Sequence, residues 1–154
     1  MKRLLSILVW CMALTSAHAS VDSLFIRMPD SLCAYLTPLH RAHLIYTYTR
    51  EKTDTITNLF NGSTWVDVYE PENNYLSVHV TPNTQWEIWQ QEDNIFFIQT
   101  YCAPLCYSIL TRYDLHWQNP TPMIPNIRGT FISAHFEDGT IRWKDNTPPD
   151  EIIP

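Results

Sequence analysis

NTQWEIWQQEDNIFFIQTYCAPLCYSILTRYD, residues 83–114, reads as three strands and the turns between them. Trp86-Glu87-Ile88-Trp89, Ile95-Phe96-Phe97-Ile98 and Tyr107-Ser108-Ile109-Leu110 are rich in the aromatic and branched side chains that suit a pleated, half-buried surface. Between them stand Glu92-Asp93-Asn94 and Ala103-Pro104, which carry turn chemistry. Segments this closely spaced pair antiparallel, because a parallel crossover needs roughly a dozen residues or more. Ile95-Phe96-Phe97-Ile98 is apolar on both strand faces, which predicts a central strand covered on both sides, with helices on one.

The same alternation extends outward in both directions. Strands are predicted near residues 54–60, 64–70, 75–80, 84–90, 94–101, 106–113, 130–136 and 140–144. Leu76, Val78 and Val80 point one way and Ser77 and His79 the other, the pattern of a half-exposed strand. A two-residue turn at Asp138-Gly139 sets Phe136 opposite Ile141 and Ala134 opposite Trp143, all on one face with Ile132. The same test at Asn61-Gly62 sets Asn58 opposite Trp65 and Ile56 opposite Asp67, which leaves no clean apolar face. A bulge or a longer loop is therefore predicted there. Residues 115–129, broken by Pro120, Pro122 and Pro125, read as a long ordered loop.

Helical patterning is confined to the N-terminal side. Asp30 can cap a first helix that puts Leu32, Tyr35 and Leu36 on one face. Thr37 can cap a second with Pro38 at its first position, where the missing N–H is no loss. Leu39, His43 and Tyr46 then share an inward stripe, widened by Leu44, Ile45 and Tyr48. Before all of this, Lys2 and Arg3, the apolar run Leu4 to Leu14 and Ala17-His18-Ala19 form the three parts of a secretory signal. The run is too short to span a bilayer, which takes about 20 residues.

Three units follow: a signal peptide over residues 1–19, a single globular domain over 20–147 and a mobile tail over 148–154. Removing Lys2 and Arg3 leaves 8 basic residues against 16 acidic ones, a formal charge of −8. Such a chain repels phosphate backbones, so nucleic acid is excluded as a partner. No basic amphipathic helix or membrane-spanning segment is present, and no phosphate-cradling glycine loop, so no cofactor is expected. The mature chain keeps Cys33, Cys102 and Cys106, and an oxidising compartment implies one disulfide and one thiol. Cys102 and Cys106 could bridge across their turn, or Cys33 could tie the helical segment to it.

Candidate chemistry is sparse. His40 and His43, one helical turn apart, could share a metal, although Arg41 stands where a zinc protease would carry its glutamate. No nucleophile elbow is present, and Glu92-Asp93 and Glu137-Asp138 lie in predicted turns. Trp65, Trp86, Trp89, Trp117 and Trp143 could form an aromatic platform for a protein, peptide or glycan ligand, or could serve packing.

Leu24-Phe25-Ile26-Arg27-Met28-Pro29-Asp30-Ser31, with Tyr35-Leu36 and Arg41 beyond, and the later Thr100, Pro104, Ser108, Tyr113-Asp114 and Trp117 resemble a family of small exported proteins of unknown function from Bacteroidetes-type gut and oral anaerobes. The resemblance implies a Gram-negative periplasmic, cell-surface or secreted setting. It brings no activity and no catalytic residue. The expected fold is α+β: an N-terminal helical pair packed on an antiparallel meander of about seven strands, curved toward a barrel. The expected function is a non-enzymatic binding or interaction module with an aromatic-rich β surface. The alternatives are a structural or assembly protein of the envelope and a hydrolase or metal-dependent enzyme.

Overall fold

In the computed structural model the described residues are 19–149. The leader expected over residues 1–19 falls outside them except for Ala19, as does the expected tail from residue 150 onward.

Two helices come first, α1 (Val21–Arg27) and α2 (Pro38–Tyr46), and α2 runs on into a π-helical turn, Thr47–Glu51. The start of α2 is as predicted. The His40 amide donates to Thr37 Oγ1 at 3.3 Å and the Thr37 amide donates to His40 Nδ1 at 3.4 Å, a reciprocal cap.

The first helix is not the one expected. Residues 30–36 form turns, and the helix lies earlier, over Val21–Arg27. Arg41 supplies the reason. Its side chain is completely buried, and a guanidinium out of water must find acceptors for its N–H groups. It donates to the carbonyls of Met28 and Leu36 at 2.6 Å each and to that of Ile26 at 3.1 Å, and reaches Asp30 Oδ1 at 3.3 Å. A helix over residues 30–36 would spend the Asp30 carboxylate on its own first amides. The irregular path instead turns Met28, Cys33 and Leu36 into the core.

The stripe expected to face inward on α2 does so only in part: Leu44, Ile45 and Tyr48 pack inward as expected, but the other three members do not. Leu39 and Tyr46 are 79% and 54% exposed, and His43 is exposed with them. Arg41, Leu44 and Ile45 form the buried face.

The sheet has seven strands in sequential antiparallel order: β1 (Thr55–Thr57), β2 (Ser63–Glu70), β3 (Tyr75–Thr81), β4 (Thr84–Gln91), β5 (Asn94–Cys102), β6 (Cys106–Asp114) and β7 (Thr121–Met123). β7 lies inside the segment read from sequence as a loop. The sheet is not closed into a barrel, since β1 and β7 are its two ends and do not pair. Both edge strands are only three residues long, which limits how much unpaired backbone they offer. β1 and β2 pair with Ile56 opposite Thr64, so residues 58–62 form the longer loop that the clumsy two-residue register implied. The β2–β3 register then shifts between Val66 and Val68, making Asp67 a bulge.

The last two strands, β8 (Ile132–Glu137) and β9 (Thr140–Asp145), form a separate hairpin rather than part of the meander. Its register is the predicted one, Phe136 opposite Ile141 and Ala134 opposite Trp143. Asp138 and Gly139 both take positive φ, +48° and +73°, as a two-residue hairpin turn demands.

Three layers result. The helices cover one face of the sheet over a core that includes Leu24, Phe25, Leu36, Leu44, Leu76, Val78, Trp86, Ile88, Phe97 and Trp117. The hairpin covers part of the other face, where Ile98, Leu110 and Ala134 pack with Phe96, Ile141 and Trp143. Polar ties fasten it. Glu87 Oε2 accepts from the Phe136 amide at 2.8 Å and the Tyr75 hydroxyl at 2.7 Å. Ser108 Oγ accepts from the Ala134 amide at 2.8 Å, and Asn146 Nδ2 donates to the Cys106 carbonyl at 3.0 Å.

Candidate functional site

The tryptophans proposed as a platform are not brought together. Trp86 and Trp117 belong to the core beneath the helices, Trp89 lies on the opposite face against Phe96 and Phe136, and Trp143 packs under the hairpin. Trp65, half-buried, is stacked on His79 at 4.7 Å on that same hairpin-side face.

The histidine pair does not assemble a metal centre. His40 is engaged in the helix cap, with Nδ1 3.0 Å from Thr37 Oγ1, and His43 faces solvent. Among the described residues no group of three His, Cys, Asp or Glu side chains comes together. Of the cysteine pairings, Cys102–Cys106 forms across the β5–β6 turn, and Cys33 is a buried thiol. Burial pushes the Cys33 thiol up against the opposing pull of Arg41, which leaves it protonated and unreactive.

One cluster contains a serine, a histidine and an aspartate. The bulge turns Asp67 toward β3, where it takes His79 Nδ1, Ser77 Oγ at 3.3 Å and, from its own strand, Trp65 Nε1 at 2.9 Å. Gln85 Nε2 donates to Ser77 Oγ at 2.9 Å. A serine nucleophile needs its proton taken by the imidazole. Here both Ser77 and His79 converge on the carboxylate, and Ser77 is only 1% exposed although the alternation placed it outward. The arrangement is a satisfied polar network, not a hydrolytic triad.

The exposed aromatic area lies on the helix-side face, where the helices do not reach. Register places Thr84, Tyr101 and Tyr107 in one cross-strand row and Trp86, Gln99 and Ile109 in the next. Tyr101 and Tyr107 stack at 5.4 Å. Tyr35 extends the row, meeting Trp86 edge-on at 6.1 Å and Phe60 at 5.4 Å. Burial first, and then the neighbouring hydroxyls of Tyr107 and Tyr35, push the Tyr101 phenol up, so it is a neutral donor.

The loop of residues 58–62 holds Phe60 in place. Asn58 is buried, and its Oδ1 accepts from the Phe60 and Gly62 amides at 3.0 Å each while its Nδ2 donates to the Val80 carbonyl at 2.9 Å. The Leu59 amide donates to the Tyr35 carbonyl at 3.0 Å. Phe60 is thereby held 66% exposed, and on β6 Tyr107 and Ile109 are 43% and 48% exposed. Beneath them, the indole N–H of Trp86 is buried without an acceptor. Along β6, β7 pairs only with Leu110 to Arg112, so Tyr107 to Ile109 have no strand partner on their outer edge among the described residues.

The sequence reading missed these residues because Tyr107 and Ile109 alternate just as core residues do. One signal was present: Leu59 and Phe60 fall in a stretch whose register requires a loop, and large apolar residues in a loop mark a surface.

No curated protein and no solved structure matches the chain. One family model does, over residues 13–126, a span that holds both helices and the whole β1–β7 sheet and ends before the hairpin. The chain therefore belongs to the family described as protein of unknown function (DUF3256).

Proposed function

We propose that the chain is an exported, non-enzymatic binding module, and that the surface formed by Tyr35, Phe60, Tyr101, Tyr107 and Ile109 docks an extended segment of a partner protein. The half-exposed to exposed aromatic pairs Tyr35–Phe60 and Tyr101–Tyr107 on this one face carry the reading. Aromatic side chains offer large contact area at small entropic cost and dominate interface energetics. Export is supported by the leader pattern and by the Cys102–Cys106 disulfide. Among the described residues no helix is long and apolar enough to cross a membrane. Protein isolated from its own cells is expected to begin at Ser20, as N-terminal sequencing would read.

A photo-crosslinking residue at Tyr107 tests the surface in the producing cell. The expected result is one discrete adduct that disappears when Ile109→Arg is added. Adducts no different from those of the same probe at the exposed turn residue Asp93 would remove the proposal. An adduct only with a second copy of the chain would replace it with the assembly role.

A further inference from the structure

Asn61-Gly62 is the only place in the chain where glycine follows asparagine. The pair is chemically labile. The main-chain nitrogen that follows an asparagine can attack its side-chain carbonyl carbon, and a glycine there has no Cβ to obstruct the approach. The loop nevertheless demands both residues. Asn61 takes a φ of +61°, in the left-handed region where asparagine is among the few side chains tolerated. A Cβ on residue 62 would stand 3.2 Å from Asn58 Nδ2 and press on the buried amide that organises the loop.

That amide also guards the pair. Asn58 Oδ1 accepts the Gly62 N–H at 3.0 Å, and this is the nitrogen that would attack. The Asn58 main chain closes the loop as well: its amide donates to the Gly62 carbonyl at 2.9 Å and its carbonyl accepts from the Asn61 amide at 3.1 Å. Asn58 Nδ2 is anchored in turn on the Val80 carbonyl at 2.9 Å and on Thr64 Oγ1 at 3.2 Å, and Thr64 is completely buried. Asn61 itself is exposed. Attack requires solvent base to take the Gly62 proton, and, as in hydrogen exchange, a proton held on a buried oxygen is out of reach until the loop opens.

We propose that Asn61 is a self-modification site and that Asn58 sets its rate. When the loop opens, the Gly62 nitrogen gives its proton to solvent base and bonds to Asn61 Cγ. The bond from Cγ to the side-chain nitrogen breaks, ammonia leaves, and a cyclic succinimide remains. Water then adds to one of the two ring carbonyls and opens the ring to aspartate or isoaspartate. The balance is one amide and one water in, one carboxylic acid and one ammonia out, with no enzyme and no cofactor. Isoaspartate routes the main chain through the former side chain, which adds a carbon between Phe60 and Gly62 and a negative charge beside them. The Phe60 and Gly62 amides, which share Asn58 Oδ1 at 3.0 Å each, then no longer both reach it, and Phe60 is released from its setting. The consequence for docking rests on the function proposed above; the chemistry does not.

The test ages the full chain at mildly alkaline pH, folded in buffer and unfolded in guanidinium, and follows residue 61 by peptide mapping that separates asparagine, aspartate and isoaspartate. In the unfolded chain Asn61 is expected to convert ahead of every other asparagine. In the folded chain it is expected to convert at least about tenfold more slowly, because each hydrogen bond that must open contributes up to about tenfold. Asn58→Ala should remove most of that protection. Thr64→Val, a milder change that withdraws only the hydroxyl supporting Asn58, should remove part of it, with circular dichroism confirming that each variant is folded. Amide exchange at Phe60 should be faster in aged than in fresh protein. Equal rates in folded and unfolded wild type, or folded variants that convert no faster than wild type, would overturn the proposal. Unchanged Phe60 exchange in the isoaspartate product would overturn the release of Phe60.

Discussion

The two faces of the sheet are closed by different means. On one, α1 and α2 cover a continuous apolar core whose main buried polar intrusion, Arg41, is saturated by backbone carbonyls. On the other, a two-stranded hairpin packs Ala134, Phe136, Ile141 and Trp143 over Ile98, Leu110, Phe96 and Trp89, a smaller apolar contact, and is tied besides by Glu87, Ser108 and Asn146. Apolar burial is non-directional and cooperative, whereas a net hydrogen bond is worth only about 0.5–1.5 kcal/mol. The helical face should therefore unfold with the whole molecule, and the hairpin should be able to open by itself.

The largest effect expected is that of Arg41→Met. It leaves the carbonyls of Ile26, Met28 and Leu36 without their buried donor, at about 1–3 kcal/mol for each group that stays dry, so a loss of about 3 kcal/mol or more is expected. Urea denaturation should show the midpoint fall in one cooperative step. A separate early transition of the N-terminal segment would break the comparison.

Glu87→Ala should cost about 1–3 kcal/mol, but locally. Hydrogen exchange at the Phe136 amide should accelerate while that at the central Phe97 amide stays protected. Parallel acceleration at both sites would mean that the hairpin is not an independent unit.

The smallest effect concerns pH. Burial raises the Glu87 carboxyl above its ordinary value of 4.5, against the opposing pull of the Phe136 amide, the Tyr75 hydroxyl and His135. A carboxyl raised on folding binds its proton more tightly in the folded state. Its stabilising contribution is complete below the unfolded value and is lost as pH rises through the folded one. Asp145, held below the carboxylate range by Thr147, acts in the opposite sense and only at lower pH. Between about pH 4.5 and neutrality, hairpin opening measured by exchange, after correction for intrinsic rates, should become easier. Glu87→Gln should flatten that slope, and an unchanged slope would place its origin elsewhere.

What could be read from the sequence follows the range of the forces involved. Strand alternation and turn chemistry are local, so β3 to β6 and the register at Asp138-Gly139 were legible from their own residues. The helical pair was legible as a pair, but its first member was misplaced. Arg41 commandeers carbonyls up to 15 residues away, and no local propensity records that. The same residue misled the reading of α2, because an apolar-stripe argument turns an arginine outward and Leu39 inward. The aromatic surface was least legible. Whether Tyr107 or Leu110 meets solvent depends on which half of a strand the helices and the hairpin cover, a matter of layer size rather than pattern.

The bond from Trp117 Nε1 to the Leu24 carbonyl, 2.9 Å long, joins positions 93 residues apart. It imposes an order in time. A chain synthesised N-terminus first completes α1 long before the residue that clasps it, so that helix must wait until most of the sheet has been made. A fluorophore reporting on Trp117 would therefore register the completion of the molecule rather than its beginning.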